Sequence, residues 1–280
     1  MEINAIQAGF NLDHIAIETK NKKNLEHFYN DIMKMKSFQG HNKDIVCVGP
    51  SRKLIIKDGV KNKLSFAGFS CRSKKDLNSF KSFVKKNDVK ITNFENPYLQ
   101  KGSFSILDPD KNIISFGIKI EKKFPMINLL HGPLQHLTFS SPNVENFKNF
   151  YCERLGFKVT DIVVKKDGSL ATCFITSNHE HHTLACFKAK KVGIDHHSYE
   201  VGDWNYIRDW CDHFASKNIQ LLWGPGRHGP GNNLFVFIED TDKNWIELSA
   251  ELEIIHDREK KIWPQAEKTL NLWGKAILRS

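Results

Sequence analysis

The stretch Leu134–Val159, LQHLTFSSPNVENFKNFYCERLGFKV, decides the fold, because Leu12–Lys36, LDHIAIETKNKKNLEHFYNDIMKMK, is a second version of it. Each opens with a short alternating run that carries a histidine, His14 in one and His136 in the other. Alternation of this kind marks a half-buried strand. A polar turn follows, and then apolar and aromatic residues at helical spacing. In the later copy these are Val144, Phe147, Phe150, Tyr151 and Leu155, with Asn143 placed as an N-cap and Gly156 just past the end. The unit reads as strand, helix, then further strands.

Two weaker echoes extend the pattern. IDHHSYEVGDWNYIRDWCDHFASKN starts at Ile194, with a helix predicted from about Trp204 to Ser216, and FAGFSCRSKKDLNSFKSFVKKN starts at Phe66. The halves also close alike, with DPDKNIISF at Asp108 and DTDKNWIEL at Asp240. Four strand–helix units therefore tile the chain, two per half. Repetition on this scale predicts an α+β protein of paired βαβββ modules, each pair a curved sheet around a cavity. The expected boundaries are an N-terminal domain over 1–123, a C-terminal domain over 124–255, and a basic, aromatic tail over 256–280 packed on the surface. Glu121–Pro133 reads as the linker.

Composition excludes several function classes. At 280 residues, 40% hydrophobic and 26% charged, the chain is long enough for a well-buried core. No apolar run approaches the roughly 18 residues of a membrane-spanning helix. The N-terminus lacks the basic and apolar segments of a secretory signal, so a cytoplasmic location and no membrane partner are expected. Cys47, Cys71, Cys152, Cys173, Cys186 and Cys211 are scattered without a CxxC pair, which fits small buried thiols better than a disulfide framework or a thiolate zinc site. The net charge of +9 comes from dispersed lysines interleaved with acids. With no zinc-finger or RNA-binding signature, no nucleic-acid partner is expected.

Three residues stand out as metal ligands. His136 and His196 occupy the same point of the opening strand in successive units, and Glu247 ends the closing strand. Two neutral imidazoles and one carboxylate on one face leave open positions on iron(II), as oxygenases require. A lone strand histidine is more often structural, but three such residues at matching points of a repeat point to a site. His197 competes with His196 for the second position; alternation and the match of HHSYEV to HLTFSS favour His196. The first half keeps His14 but has Phe66 and Ser115 at the other two places, so it cannot build the same triad.

The four-unit layout resembles the vicinal oxygen chelate superfamily, also described as the glyoxalase, bleomycin resistance and dioxygenase fold. The C-terminal half is similar to the catalytic domain of type I extradiol dioxygenases, the group of catechol 2,3-dioxygenase and 2,3-dihydroxybiphenyl 1,2-dioxygenase. The resemblance runs from about Leu12 to Glu253, loosely in the first half and specifically in the second. It implies ring cleavage of an aromatic diol by O2 at a mononuclear Fe(II), with Mn(II) as the alternative ion, in a homo-oligomer. It assigns the metal to His136, His196 and Glu247.

The resemblance also implies roles around the triad. The family's acid–base histidine precedes the second ligand by 14 residues, and His182 stands 14 before His196. A histidine titrating near neutrality can take a catechol proton and return it. His179 and His181, in the same run NHEHHTLA, are expected to be exposed and inert. His228, in the loop GPGRHGPG over 224–231, matches a histidine that touches the bound catechol. The pattern breaks ten residues before Glu247, where Phe237 replaces the usual tyrosine and offers no donor. Thr241 replaces the usual proline of the closing phrase. Tyr199 is a candidate replacement hydroxyl, so Phe237 and Tyr199 are the expected substrate contacts. Phe139, Phe174 and Phe187 are apolar candidates for the cavity wall. Two other readings remain open: a lyase or isomerase of the same superfamily that stabilises an enolate on the metal, and a non-catalytic protein that binds an aromatic ligand or drug.

Overall fold

The computed structural model describes residues 2–121 and 130–277. The expected domain boundary at 123/124 lies outside the described residues. The first sheet comprises β1 (Asn11–Thr19), β2 (Lys36–Gln39), β3 (Ile45–Gly49), β4 (Arg52–Asp58), β5 (Lys63–Ser70), β6 (Ile91–Thr92), β7 (Phe104–Leu107) and β8 (Ile113–Gly117), ordered β2-β3-β4-β1-β5-β8-β7-β6. The second comprises β9 (Leu134–Ser141), β10 (Lys158–Val164), β11 (Leu170–Thr176), β12 (Leu184–Lys188), β13 (Gly193–Gly202), β14 (Trp223–Arg227), β15 (Leu234–Glu239), β16 (Trp245–Ala250) and β17 (Lys261–Pro264). Its order, β14-β15-β16-β13-β9-β12-β11-β10-β17, is that of the first sheet with one strand added from the tail. The tail does not simply lie on the outside. β17 runs parallel to β10, pairing Asp161 with Lys261 through Val164 with Pro264.

A helix follows each opening strand, and each has a local cause. The first two, after the short turn Ala5–Ala8 (α1), are α2 (Lys22–Asp31) and α3 (Lys74–Lys86), whose N-caps Asn21 and Ser73 accept from Asn24 N and Asp76 N. α4 (Val144–Asn149) is capped by Asn143 and runs on through a wide turn over Phe150–Arg154, and Gly156 then takes φ +73. α5 (Trp204–Ser216) is capped by Asp203 and buries Ile207, Trp210 and Phe214 along one stripe. No helix among the described residues is long and apolar enough to cross a membrane. All six cysteines are free; four are buried and two half-buried, and burial pushes the Cys47 and Cys152 thiols up to about 12.

The main core lies between the sheets and their helices and draws residues from both halves, from Phe10 and Tyr29 to Trp210 and Leu248. The halves interlock by exchange. Tyr29 of α2 donates its hydroxyl to Asp240 of the second module's closing turn at 3.2 Å, and Tyr151 of the second module donates to Asp108 of the first module's closing turn, also at 3.2 Å.

Arg52 braces the same junction. It is only 3% exposed, and burial lowers its pKa to about 10. Its guanidinium donates to Leu130 O at 2.9 Å, Gly132 O at 3.1 Å, Met33 O at 2.9 Å and Lys34 O at 3.3 Å. Arg52→Met keeps the bulk of the stem but leaves buried carbonyls without donors, which is expected to cost about 3 kcal/mol. Urea denaturation followed by tryptophan fluorescence measures this; a loss under about 1 kcal/mol would show that the brace is dispensable.

Candidate metal centre

His136 on β9, His196 on β13 and Glu247 on β16 come together because β13 lies between the other two strands. Ser198 of β13 pairs with His136 on one side and with Glu247 on the other. Residues two apart share a face, so His196 projects with Ser198 and joins both partners. His136 Nε2 stands 3.0 Å from Glu247 Oε2, His196 Nε2 stands 3.3 Å from the same oxygen, and the two Nε2 atoms are 3.4 Å apart. Donor atoms about 2.1 Å from one shared ion and at right angles to each other lie about 3.0 Å apart. The three separations run from that value up to about 3.4 Å, the spacing of a tetrahedral site, so the donors can share one ion as a two-histidine, one-carboxylate set. Among the described residues this is the cluster of histidine, cysteine, aspartate and glutamate side chains that could hold one metal ion.

Each donor is oriented from behind. His196 Nδ1 contacts Asp195 Oδ1 at 2.5 Å, and His136 Nδ1 lies 3.3 Å from Gln135 Oε1. Neighbours along a regular strand point to opposite faces and cannot bond this way. Both pairs sit at breaks in the β9–β13 register, one between Ile194 and His196 and one between Ser198 and Tyr199, where Asp195 and Gln135 drop out of the pairing. The extra residue at a bulge bends the strand and brings consecutive side chains together. Such partners leave Nε2 of each ring for the metal. Glu247 Oε1 accepts from Asn233 Nδ2 at 3.1 Å, and Asn233 also donates to Ser249 Oγ at 3.0 Å. Burial opposes the charge on Glu247, but His136, His196 and His228 outweigh it and hold its carboxyl well below the usual range.

The remaining expected residues divide. His182 comes to the site: its ring centroid is 4.2 Å from that of His136, and burial with His136 and His181 nearby holds it well below the usual histidine range. His228 also comes in, with Nε2 3.5 Å from Glu247 Oε1 and its ring stacked on Phe235 at 3.9 Å. Its Nδ1–H donates to Leu270 O of the tail, which thereby holds the ring in place. Phe237 pairs with Glu247 across the β15–β16 ladder and sets its ring edge-on to His196 at 5.2 Å.

Tyr199 does not reach the site. It follows Ser198 by one position, so the pleat turns it to the opposite face, edge-on to His197 at 5.4 Å, where its hydroxyl is buried without a partner. His197 faces the same way and lies 3.2 Å from the Tyr29 hydroxyl, which removes it as a competitor for the metal. The expectation for His181 also fails. His179 is exposed, but His181 is fully buried, because the backbone bridge Glu180–Ile254 folds the run inward and Asp161 offers a carboxylate 3.2 Å from its ring. Asn233 was not anticipated; its position next to the turn glycine Gly231, at the head of the strand facing Glu247, was the available signal.

The first module shows what the same frame looks like without a metal. His14 pairs with Gly68 and Ala16 with Phe66, so Phe66 occupies the place of His196; Ser115, opposite Gly68, occupies that of Glu247. Asp13, at its own register break, contacts His14 Nδ1 at 2.6 Å, and Asn96 Nδ2 sits 2.9 Å from His14 Nε2. Phe66, Phe94 and Tyr98 fill the rest of this face. A cleft of about 880 Å³ opens beside it at the module junction, lined by Asp13, Lys53, Tyr98, Gln135 and Glu180 among others. It is not at the triad.

Residues 134–248 match the model of the Glyoxalase/Bleomycin resistance protein/Dioxygenase superfamily. The match lies within the C-terminal module, and the solved structures below share the paired-module fold of the chain. Metapyrocatechase 2 of Cupriavidus necator is 29% identical over 145 residues, half of this chain, and the match spans 44% of that protein's length. Among solved structures, homoprotocatechuate 2,3-dioxygenase from Arthrobacter globiformis superposes with a TM-score of 0.80 at 18% identity, covering 95% of this chain and 88% of that one. The 2,3-dioxygenase LapB from Pseudomonas sp. KL28 gives 0.79 at 17%, with 91% and 96% covered. The Mn(II)-bound glyoxalase from Novosphingobium aromaticivorans gives 0.77 at 19%, with 94% and 90% covered.

His136→Ala, His196→Ala and Glu247→Ala are each expected to lose bound metal while the fold survives, whereas His14→Ala is expected to keep full metal content. Elemental analysis after loading with Fe(II) under argon, beside circular dichroism, reads this out; full stoichiometry in all three variants would remove the triad from consideration.

Proposed function

We propose that the protein is an extradiol ring-cleaving dioxygenase that opens a catechol-type aromatic diol with O2, using one Fe(II), with Mn(II) as the other ion its donor set would accept. The two-histidine, one-carboxylate set of His136, His196 and Glu247, with His182 and His228 beside it, supports this reading most directly. In this reading residues 1–123 are a metal-free scaffold, 124–255 carry the chemistry, and 256–280 are a tail that packs against the catalytic module and holds His228. An iron held by the triad supplies open positions where a vicinal diol and O2 meet.

The chain's own residues supply the rest. His182 takes a proton from the diol and later returns it to a leaving oxygen. His228, fixed by its bond to the tail, stands as a donor or acceptor on the substrate side of Glu247. Phe174, edge-on to His182 at 5.1 Å, and Phe237 supply apolar surface for an aromatic ring. Buried walls exclude water and strengthen each charge interaction. With Tyr199 turned away, neither position 237 nor 199 provides the hydroxyl that the family resemblance would place on the substrate.

Oxygen uptake with a panel of catechols under Fe(II), read by electrode and by the colour of the ring-opened product, tests the reading. Uptake coupled to product supports it; metal-dependent turnover without uptake would instead mark a lyase or isomerase, and no turnover would mark a binding protein. His182→Ala is expected to keep iron and bind catechol yet lower kcat by about 10²–10⁴-fold.

Phe237→Tyr separates two roles for the phenylalanine. A site that merely tolerates the missing donor is expected to gain up to about 10-fold on simple catechols. A site shaped for an apolar substituent is expected to lose activity on its own substrate, because the added hydroxyl is buried without a partner. Rates on a series of substituted diols give the sign.

A further inference from the structure

Behind His182 a line of buried polar groups runs away from the triad to the tail. His182 Nδ1 lies 2.9 Å from His181 Nδ1. His181 Nε2 lies 3.2 Å from Asp161 Oδ2, close but off the line of an ideal hydrogen bond. His181 and Asp161 are fully buried and His182 is 4% exposed. Gly231, at φ +75, packs against the His181 ring, where a Cβ would stand 3.1 Å from Nδ1.

Asp161 meets donors on all sides. Trp263 Nε1 donates to Oδ2 at 2.7 Å, Arg258 Nη1 pairs with Oδ1 at 3.0 Å, and Lys261 N donates to Oδ1 at 3.3 Å. A carboxylate so surrounded acts as acceptor throughout. Burial opposes its charge, but His181, Trp263 and Arg258 hold its carboxyl below the ordinary range. The three tail residues belong to β17 and the turn before it, so docking of the tail is what encloses Asp161.

This arrangement fixes where protons sit. Two imidazole nitrogens 2.9 Å apart share one proton, one donating and the other accepting. The ionised Asp161 favours N–H on the His181 Nε2 facing it. Neutral His181 then has a bare Nδ1, which accepts the Nδ1–H of His182. Neutral His182 is left with a bare Nε2, on the side of the ring away from the Nδ1 that meets His181. Second partners set tautomers in this way wherever a histidine must present one chosen nitrogen.

We propose that Asp161 and His181 are positioning residues that hold His182 in its Nδ1–H tautomer, presenting Nε2 as the base, and that Arg258 and Trp263 of the tail keep Asp161 in place. This rests on the reading of His182 as the acid–base group. When the diol proton moves to Nε2, the Nδ1–H bond to His181 stays intact, so no further group need change its proton.

The test uses metal-free protein labelled with 15N-histidine and long-range 1H–15N correlation spectra, assigned with single histidine variants. In the unsubstituted chain, His182 is expected to be protonated at Nδ1 and bare at Nε2, and His181 protonated at Nε2. In Asp161→Asn made together with Trp263→Phe, which takes the indole N–H off the Oδ2 side, the amide oxygen stays with Arg258 and Lys261 N and the NH2 turns to His181, which reverses the line: His181 then carries its proton on Nδ1 and His182 on Nε2. The loaded variant is expected to lose about 10²–10⁴-fold in kcat, with iron content kept and the KM for catechol within about threefold. A His182 protonated at Nε2 in the unsubstituted chain, or tautomers unmoved in the double variant, would overturn the proposal. Should the double variant not fold, the spectrum of the unsubstituted chain decides alone. If that spectrum is as expected while no catechol is cleaved, the dioxygenase reading falls and the tautomer assignment stands.

Discussion

Ser198 sits opposite His136 on one side and opposite Glu247 on the other, and that double pairing governs the centre. The pleat has a period of two, so His196 shares the face of Ser198 while His197 and Tyr199 turn to the other. A slip of one residue would exchange the faces and put His197 among the ligands and His196 in the core. The apolar partners of β13 forbid the slip, since Val201 and Tyr199 are buried against the helices on the face where they lie. The metal geometry is thus held by hydrophobic burial along the strand, with the polar contacts to Asp195, Gln135 and Asn233 giving the final orientation of each donor.

The same frame occurs twice and does two different things. In the first sheet His14 survives with an aspartate at Nδ1, like His196, but its Nε2 meets the Asn96 amide, and aromatic rings occupy the space where ligands would stand. Exchanging a histidine for Phe66 and a glutamate for Ser115 turns a polar opening into packed interior. A buried imidazole without a metal needs a substitute partner, and Asn96 supplies it.

Much of this was legible in the sequence, and the exceptions have physical causes. The tandem repeat pointed to the paired modules, the helix positions and the residues His136, His196 and Glu247 that the sheet brings together, because each depends on local periodicity repeated at a fixed offset. Phe66 and Ser115 stand at the equivalent positions that the alignment of halves assigned them. Tyr199 was misjudged because proximity to His196 in the chain was weighed above alternation, which already sets it on the face of His197. His181 was misjudged because its partner Asp161 lies 20 residues earlier, on β10, while His181 itself sits in the connection between β11 and β12. Asn233 was missed for a similar reason: its role exists only across the β15–β16 ladder.

The crossed tyrosines carry an implication for how such a chain comes to have one centre. Tyr29 reaches the closing turn of the other half, and Tyr151 reaches the closing turn of the first, by the same atoms at the same distance. That reciprocity is what two identical single modules would make about a two-fold axis. In a symmetric pair every substitution appears twice, so a lost ligand is lost from both sites. Joined in one polypeptide, the copies are free to diverge: one can give up its donors and become well-packed support while the other keeps them.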